Sequence, residues 1–76
     1  MKTIQILGTG CPKCRKLAEN AEAAASASGV ECEIVKVTDL NEIIRMGAMM
    51  TPGLAIDGEL KSAGKVLSAE DIRKML

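Results

Sequence analysis

Two cysteines separated by two residues, Cys11 and Cys14, are the part of this 76-residue sequence best suited to chemistry. A Cys-x-x-Cys pair can close a small disulfide and open it again, and zinc and copper sites use the same spacing. The pair follows a short apolar stretch, residues 2–7, and a glycine-rich turn, and it opens a segment with helical periodicity. The sequence therefore predicts thiol–disulfide exchange, with a soft-metal (Cu or Zn) site as the alternative.

The position of the pair at the start of a predicted helix distinguishes its two thiols. Pro12 suits the first helical residue, where a missing N–H costs nothing, so Cys11 becomes the N-cap residue beside unpaired backbone N–H groups. Cys14 then lies one turn further on and is more covered. We therefore expect Cys11 to be the nucleophile, because a helix start favours a thiolate, and Cys14 to be the resolving thiol.

Three cations, Lys13, Arg15 and Lys16, crowd the first turn of this helix. Cations destabilise that end of a helix, so their presence is explained if they lower the pKa of Cys11. The alternative is that they are solvated side chains paired with Glu19 at spacings of three and four residues. The motif positions predicted to tune the nucleophile are Gly10, Pro12 and Lys13.

Seven elements in the order β-α-β-α-β-β-α are predicted to hold the motif. The strands are predicted at residues 3–7, 31–37, 53–56 and 59–62, and the helices at residues 12–28, 39–47 and 68–75. The first crossover makes the first two strands parallel, and the Asp57-Gly58 turn makes the last two antiparallel. The predicted fold class is α/β, a mixed four-stranded sheet flanked by helices, in one domain over residues 1–76.

Burial can be predicted from the spacing of the apolar residues. The first helix has a narrow face of small residues, Cys14, Leu17, Ala18, Ala21, Ala25 and Ser28. The second has the apolar face Leu40, Ile43 and Ile44, with Asp39 and Glu42 as a capping-box pair, and Ser68 caps the last helix. Of Met46, Met49 and Met50, at least one is expected in the core, with an adaptable docking surface as the alternative. Cys32 is expected to be half-buried, and Lys36 to face solvent on an edge strand.

Composition narrows the class of partner and compartment. Ten basic and ten acidic residues cancel, which argues against nucleic acid or an anionic membrane as the main partner, and no apolar run reaches the ~20 residues of a membrane span. Three cysteines, two close and one apart, fit a reducing compartment better than a secreted disulfide scaffold. We therefore expect a cytoplasmic monomer that carries no cofactor and no metal.

Three segments are similar to those of a known family. They are Gly8-Thr9-Gly10-Cys11-Pro12-Lys13-Cys14, Thr51-Pro52-Gly53-Leu54 and Asp57-Gly58-Glu59. Over nearly its whole length the chain resembles a minimal thioredoxin-fold protein, in particular the small thioredoxin-like family called redox-active disulfide protein 2. The resemblance implies that Pro52 is cis and lies beside the cysteines, and that Thr51 offers backbone hydrogen bonds to an extended substrate. It also implies protein disulfides as substrates and an upstream reductase as partner.

Two positions depart from the thioredoxin pattern. Gly10 stands where thioredoxins have an aromatic residue, and Gln5 stands where they bury an acid. The proton relay that uses this acid therefore does not carry over. Glutaredoxins share the Cys-Pro-x-Cys pattern and have a later Gly-Gly element that helps to hold glutathione. The corresponding residues here, Ser62-Ala63-Gly64, match it imperfectly, so glutathione is an alternative partner and not an implied one.

Overall fold

The computed structural model describes residues 2–10 and 12–76 of the chain. Within these residues it contains four strands and three helices. The strands are β1 (Lys2–Leu7), β2 (Cys32–Val37), β3 (Gly53–Ile56) and β4 (Glu59–Ala63). The helices are α1 (Pro12–Ser28), α2 (Leu40–Arg45) and α3 (Ala69–Met75). The predicted element order is confirmed, and its boundaries agree closely with the observed ones.

The four strands form one mixed sheet in the order β2-β1-β3-β4. The β1 strand runs parallel to β2 and antiparallel to β3, and β3 runs antiparallel to β4. The predicted parallel and antiparallel pairs are therefore confirmed, as is the edge position of β2. The apolar β1 lies inside the sheet, so its carboxyl end, where the cysteine motif begins, is flanked by strands on both sides.

The Asp57–Gly58 turn joins β3 to β4 and also holds the start of β1. Both turn residues have positive φ, +52° and +83°, as a tight two-residue hairpin requires. The backbone N–H of Asp57 donates to the carbonyl of Thr3 at 2.8 Å, and the Thr3 N–H donates to the Asp57 carboxylate at 2.9 Å. The same carboxylate lies 3.8 Å from the Lys2 ammonium. This turn therefore fixes three strands relative to one another.

Two apolar clusters cover the two faces of the sheet, because the side chains of β1 alternate between them. Ile4 and Ile6 join the larger cluster with α1 and α3, whereas Leu7 joins the smaller one with Ile43 of α2. The larger cluster is completed by Leu17, Ala18, Ala21, Ala24, Leu54, Ile56 and Ile72. The core is thus built entirely from small and aliphatic side chains.

The buried face of α1 differs slightly from the predicted one. Ala24 is fully buried, whereas Ala25 and Ser28 are only half-buried. Ala24 lies in the same cluster as Ile72 of α3, which packs against α1. The predicted face considered the sheet alone, and the burial of Ala24 reflects a neighbouring helix.

The predicted apolar face of α2 is wrong for two of its three residues. Ile43 is buried, but Leu40 and Ile44 are 57% and 61% exposed. At 100° per residue these two lie about 60° and 100° around the helix from Ile43. Of the three, only Ile43 belongs to the cluster that covers the sheet. Asp39 does cap α2, but its carboxylate accepts from Asn41 N–H at 2.9 Å and not from the residue predicted.

Helix α3 begins as the sequence predicts. The Ser68 hydroxyl accepts a hydrogen bond from the Asp71 N–H at 3.1 Å, and Ile72 is buried. The Asn20 amide of α1 donates to the Leu67 carbonyl at 2.8 Å, which ties the loop before α3 to α1. No helix in the described part of the chain is long and apolar enough to span a bilayer.

Candidate active site

The junction between β1 and α1 is built on two glycines. Gly8 is buried, and its N–H donates to the Val37 carbonyl at 3.0 Å, which extends the β1–β2 pairing beyond the last residue of β1. Gly10 is exposed and has φ +90°, a left-handed conformation that turns the chain from strand into helix. Pro12 is the first residue of α1, as predicted. Cys11, the predicted nucleophile, lies between these two and outside the described residues.

Cys14 lies in the first turn of α1, only 5% exposed. A Cβ atom built on Gly8 would lie 2.2 Å from the Cys14 sulfur and 3.2 Å from its Cβ. The sulfur therefore occupies the space that a side chain at position 8 would need. This close approach places the Cys14 thiol directly over the end of the central strand.

The Thr51–Pro52 peptide bond is cis, as the resemblance implies. Pro52 is fully buried, whereas Thr51 is exposed and makes no backbone hydrogen bond with any of the described residues. Gly53 pairs with Leu7, so one further step of this antiparallel register sets Pro52 opposite Gly8. The structure thus brings the Thr51–Pro52 pair to the same end of the sheet as Cys14.

A surface depression of about 250 Å³ opens on the β2 side of the motif. Its lining includes the apolar side chains of Ile6 and Ala18, and Cys14. The other lining residues are Gly8, Gly10, Arg15, Lys36 and Thr38. The depression therefore opens beside Cys14 on the side of β1 that faces β2.

Lys36 and Thr38 were missed as site residues by the sequence analysis, which placed Lys36 at a solvent-facing edge. Lys36 is exposed, as expected, but it also lines the depression beside Cys14. The β1–α1–β2 crossover could have indicated that Lys36 and Thr38 lie near the motif. Neighbouring parallel strands end at the same edge of a sheet, so the end of β2 must lie near the end of β1.

Of the three cations in the first turn of α1, one forms an ion pair with a described residue and two do not. The Lys16 ammonium lies 3.9 Å from the Glu19 carboxylate, so the alternative interpretation is correct for this residue. Lys13 and Arg15 form no ion pair with a described residue, and the first turn of α1 contains no acidic residue. Lys13 and Arg15 are therefore the first-turn charges left to act on a thiolate or a ligand.

The sequence also singled out three methionines as candidates for the core or for a docking surface, and Cys32 as a half-buried residue. Met46 is half-buried against the smaller cluster, which confirms that one methionine fills the core, whereas Met49 and Met50 are exposed. Cys32 is half-buried against the larger cluster, as expected, and its thiol donates to the Val30 carbonyl at 3.4 Å.

A central strand that leads through a glycine turn into a Cys-x-x-Cys helix, with a cis-proline before the neighbouring antiparallel strand, defines the thioredoxin fold. A family model described as a thioredoxin domain matches residues 2–76. A protein named thioredoxin from Methanothermobacter thermautotrophicus is 45% identical over 76 residues, which cover all of this chain and 99% of the relative. A second, from Methanocaldococcus jannaschii, is 46% identical over 76 residues and 87% of its length. The chain belongs to the thioredoxin-domain family and is a thiol–disulfide oxidoreductase.

Proposed function

We propose that the Cys11 thiolate attacks a disulfide of a protein substrate and that Cys14 resolves the resulting mixed disulfide. The observation that supports this assignment is the burial of Cys14, whose sulfur packs against Gly8 in the first turn of α1. A substrate disulfide is too bulky to reach a sulfur in that position first. The other cysteine of the motif, Cys11, which directly precedes Pro12 in the sequence, is then the one that reacts first with the substrate.

The proposed reaction transfers two electrons in two displacement steps. Cys11 sulfur forms a bond to one substrate sulfur, the substrate S–S bond breaks, and the departing substrate thiolate takes a proton from water. Cys14 then loses its proton to solvent and attacks the Cys11 sulfur, which breaks the mixed disulfide and releases the second substrate thiolate. The substrate is reduced, and the protein leaves with a Cys11–Cys14 disulfide. An upstream reductase or another dithiol must reduce it again.

The residues around the two cysteines have supporting roles in this proposal. Thr51 is exposed with its backbone unpaired among the described residues, which suits hydrogen bonding to an extended substrate, and the buried Pro52 holds it at the end of the sheet. Gly10 and Pro12 form the turn and the helix start, and Lys13 favours the Cys11 thiolate through its charge. The partners proposed are protein disulfides, with glutathione as the alternative thiol, for a cytoplasmic, single-domain monomer without a metal.

The order of elements weighs against the soft-metal alternative. Copper chaperones of about this length have the order β-α-β-β-α-β and end in a strand. This chain has two helices before its β3–β4 hairpin, and the element that follows the hairpin is a helix, α3. The redox proposal is therefore the one that the topology favours.

Single cysteine variants test the proposal in a peptide-disulfide reduction assay driven by dithiothreitol. Cys11→Ser should abolish the catalysed rate, and Cys14→Ser should accumulate a mixed disulfide between Cys11 and the peptide, detected by mass spectrometry. Cys32→Ser is the matched control and should retain the wild-type rate, since Cys32 lies on the edge strand β2. Full activity of Cys11→Ser, or a trapped adduct on Cys14 in the wild type, would overturn the assignment.

A further inference from the structure

The residues that line the depression beside Cys14 carry a net positive charge, although the chain as a whole does not. The whole chain has ten basic and ten acidic residues, so its formal charge is zero. The described residues that line the depression nevertheless include two cations, Arg15 and Lys36, and no acid. The excess of positive charge is therefore local to the side of the motif that faces β2.

These two cations are available to a ligand. Five other basic residues lie within ion-pair distance of a carboxylate, namely Lys2, Lys16, Arg45, Lys61 and Arg73. Among residues 2–10 and 12–76, neither Arg15 nor Lys36 has such a partner. Glu33, the preceding acid on β2, is an odd number of residues from Lys36 and so points to the opposite face of the sheet.

The size and lining of the depression fit one acidic side chain. Its volume of about 250 Å³ is below the roughly 300–1,000 Å³ of a typical small-molecule site. An Arg guanidinium can bind a carboxylate through two parallel hydrogen bonds, Lys supplies a compact charge, and the Thr38 hydroxyl adds a donor. The apolar side chains of Ile6 and Ala18 in the lining suit the methylene groups of the same acidic side chain.

We propose that this depression, which we call the cationic subsite (Arg15, Lys36 and Thr38), binds a carboxylate on an acidic residue next to the cysteine of a protein disulfide substrate. The inference rests on the function proposed above and adds a substrate preference to it. The subsite lies on the β2 side of β1, whereas Thr51 and Pro52 lie on the β3 side. A substrate can therefore occupy both sides at once, with its disulfide between them.

The preference is measurable with pairs of synthetic peptide disulfides that differ only in Glu or Gln beside one cysteine. Two pairs are used, with the variable residue before or after the cysteine. Each rate is divided by the rate with dithiothreitol alone, because a neighbouring carboxylate also changes the reactivity of the peptide thiol. We expect kcat/KM to be about two- to fivefold higher for Glu in at least one pair. High salt should remove the difference.

Charge variants assign the preference to the subsite. Lys36→Gln and Arg15→Gln should each lower the Glu-to-Gln ratio, and the double variant should bring it to about one. Lys36→Arg keeps the positive charge and should keep the Glu-to-Gln ratio of the wild type. Lys74→Gln, on α3, is the control that should leave this ratio unchanged. A purely structural or thiolate-tuning role of Lys36 would change both peptides equally, so the ratio separates the two.

Three results would overturn the inference. The first is a wild-type ratio of one in both pairs, and the second is a preference that survives the double variant. The third is a loss of glutathione disulfide reduction in the double variant with no change in the peptide ratio, since the subsite would then serve a small thiol. Failure of the proposed function looks different, because Cys11→Ser would then still reduce all of these disulfides.

Discussion

The absence of a side chain at Gly8 determines where the Cys14 sulfur can lie. A Cβ at position 8 would approach that sulfur to 2.2 Å, so any larger residue forces the thiol to rotate or α1 to shift. The distances between reacting sulfur atoms control resolution of a mixed disulfide, and a displacement of this kind acts directly on them. We therefore regard Gly8 as a positioning residue for Cys14.

Gly8→Ala should slow the resolving step and destabilise the protein by about 1–3 kcal/mol, as overpacking of a closely packed site does. The resolving step is measured as the lifetime of the mixed disulfide after rapid mixing with a peptide disulfide, and stability by urea unfolding. The lifetime should increase even where the folded fraction is unchanged.

A double-mutant cycle provides the control for this prediction. Removal of the sulfur in Cys14→Ala should relieve the overlap, so Gly8→Ala should cost less stability in that background than in the wild type. Equal costs in both backgrounds, with an unchanged mixed-disulfide lifetime in Gly8→Ala alone, would show that Gly8 does not position Cys14.

At the scale of single elements, apolar spacing and burial disagree most in α2. Its apolar residues occur at the spacing of a helical face, yet only Ile43 reaches the cluster that contains Leu7 and Ala48. Leu40 and Ile44 are left in solvent. The contribution of this helix to stability should therefore depend on one side chain.

Ile43→Ala should lower the free energy of unfolding by about 2–5 kcal/mol, because it leaves a cavity under α2. Leu40→Gln and Ile44→Gln, on the exposed side of the same helix, should each change it by less than about 0.5 kcal/mol. Urea titrations followed by circular dichroism measure all three. A large loss in Leu40→Gln or Ile44→Gln, comparable to that of Ile43→Ala, would contradict the observed burial.

At the scale of the whole molecule, β1 links the two apolar clusters. Ile4 and Ile6 belong to the cluster beneath α1 and α3, and Leu7 belongs to the cluster beneath α2. Neither face of the sheet can lose its packing without disturbing this shared strand. The Asp57–Gly58 turn adds to the connection, because it joins β3 and β4 to the start of β1 through Thr3.

We expect residues 1–76 to unfold as one cooperative unit under reducing conditions. The chain has no aromatic residue for fluorescence, so unfolding is followed by circular dichroism and by the reactivity of Cys14 towards a thiol reagent in a Cys11→Ser, Cys32→Ser variant. The two urea midpoints should coincide. Reaction of Cys14 at clearly lower urea would instead indicate that the start of α1 opens separately, against a single cooperative domain.

The element order could be predicted from the sequence because local chemistry determines it. Pro12 begins a helix, Asp57 and Gly58 provide the turn of a hairpin, and Ser68 caps α3, and each effect acts over a few residues. The Cys-x-x-Cys motif and its place at a helix start are likewise local. The sequence by itself thus determined the fold class and the place of the Cys-x-x-Cys motif at the start of a helix.

The neighbours of the motif were decided by the tertiary structure alone. The contact of Cys14 with Gly8, the place of Lys36 beside that thiol and the exposure of Leu40 all depend on how elements distant in sequence pack together. Local spacing defines a helical face or a strand register, but it does not state which strand or helix covers it. The ends of β1 and β2 meet only once the crossover helix has brought the two strands side by side, and the cationic subsite exists only from that point.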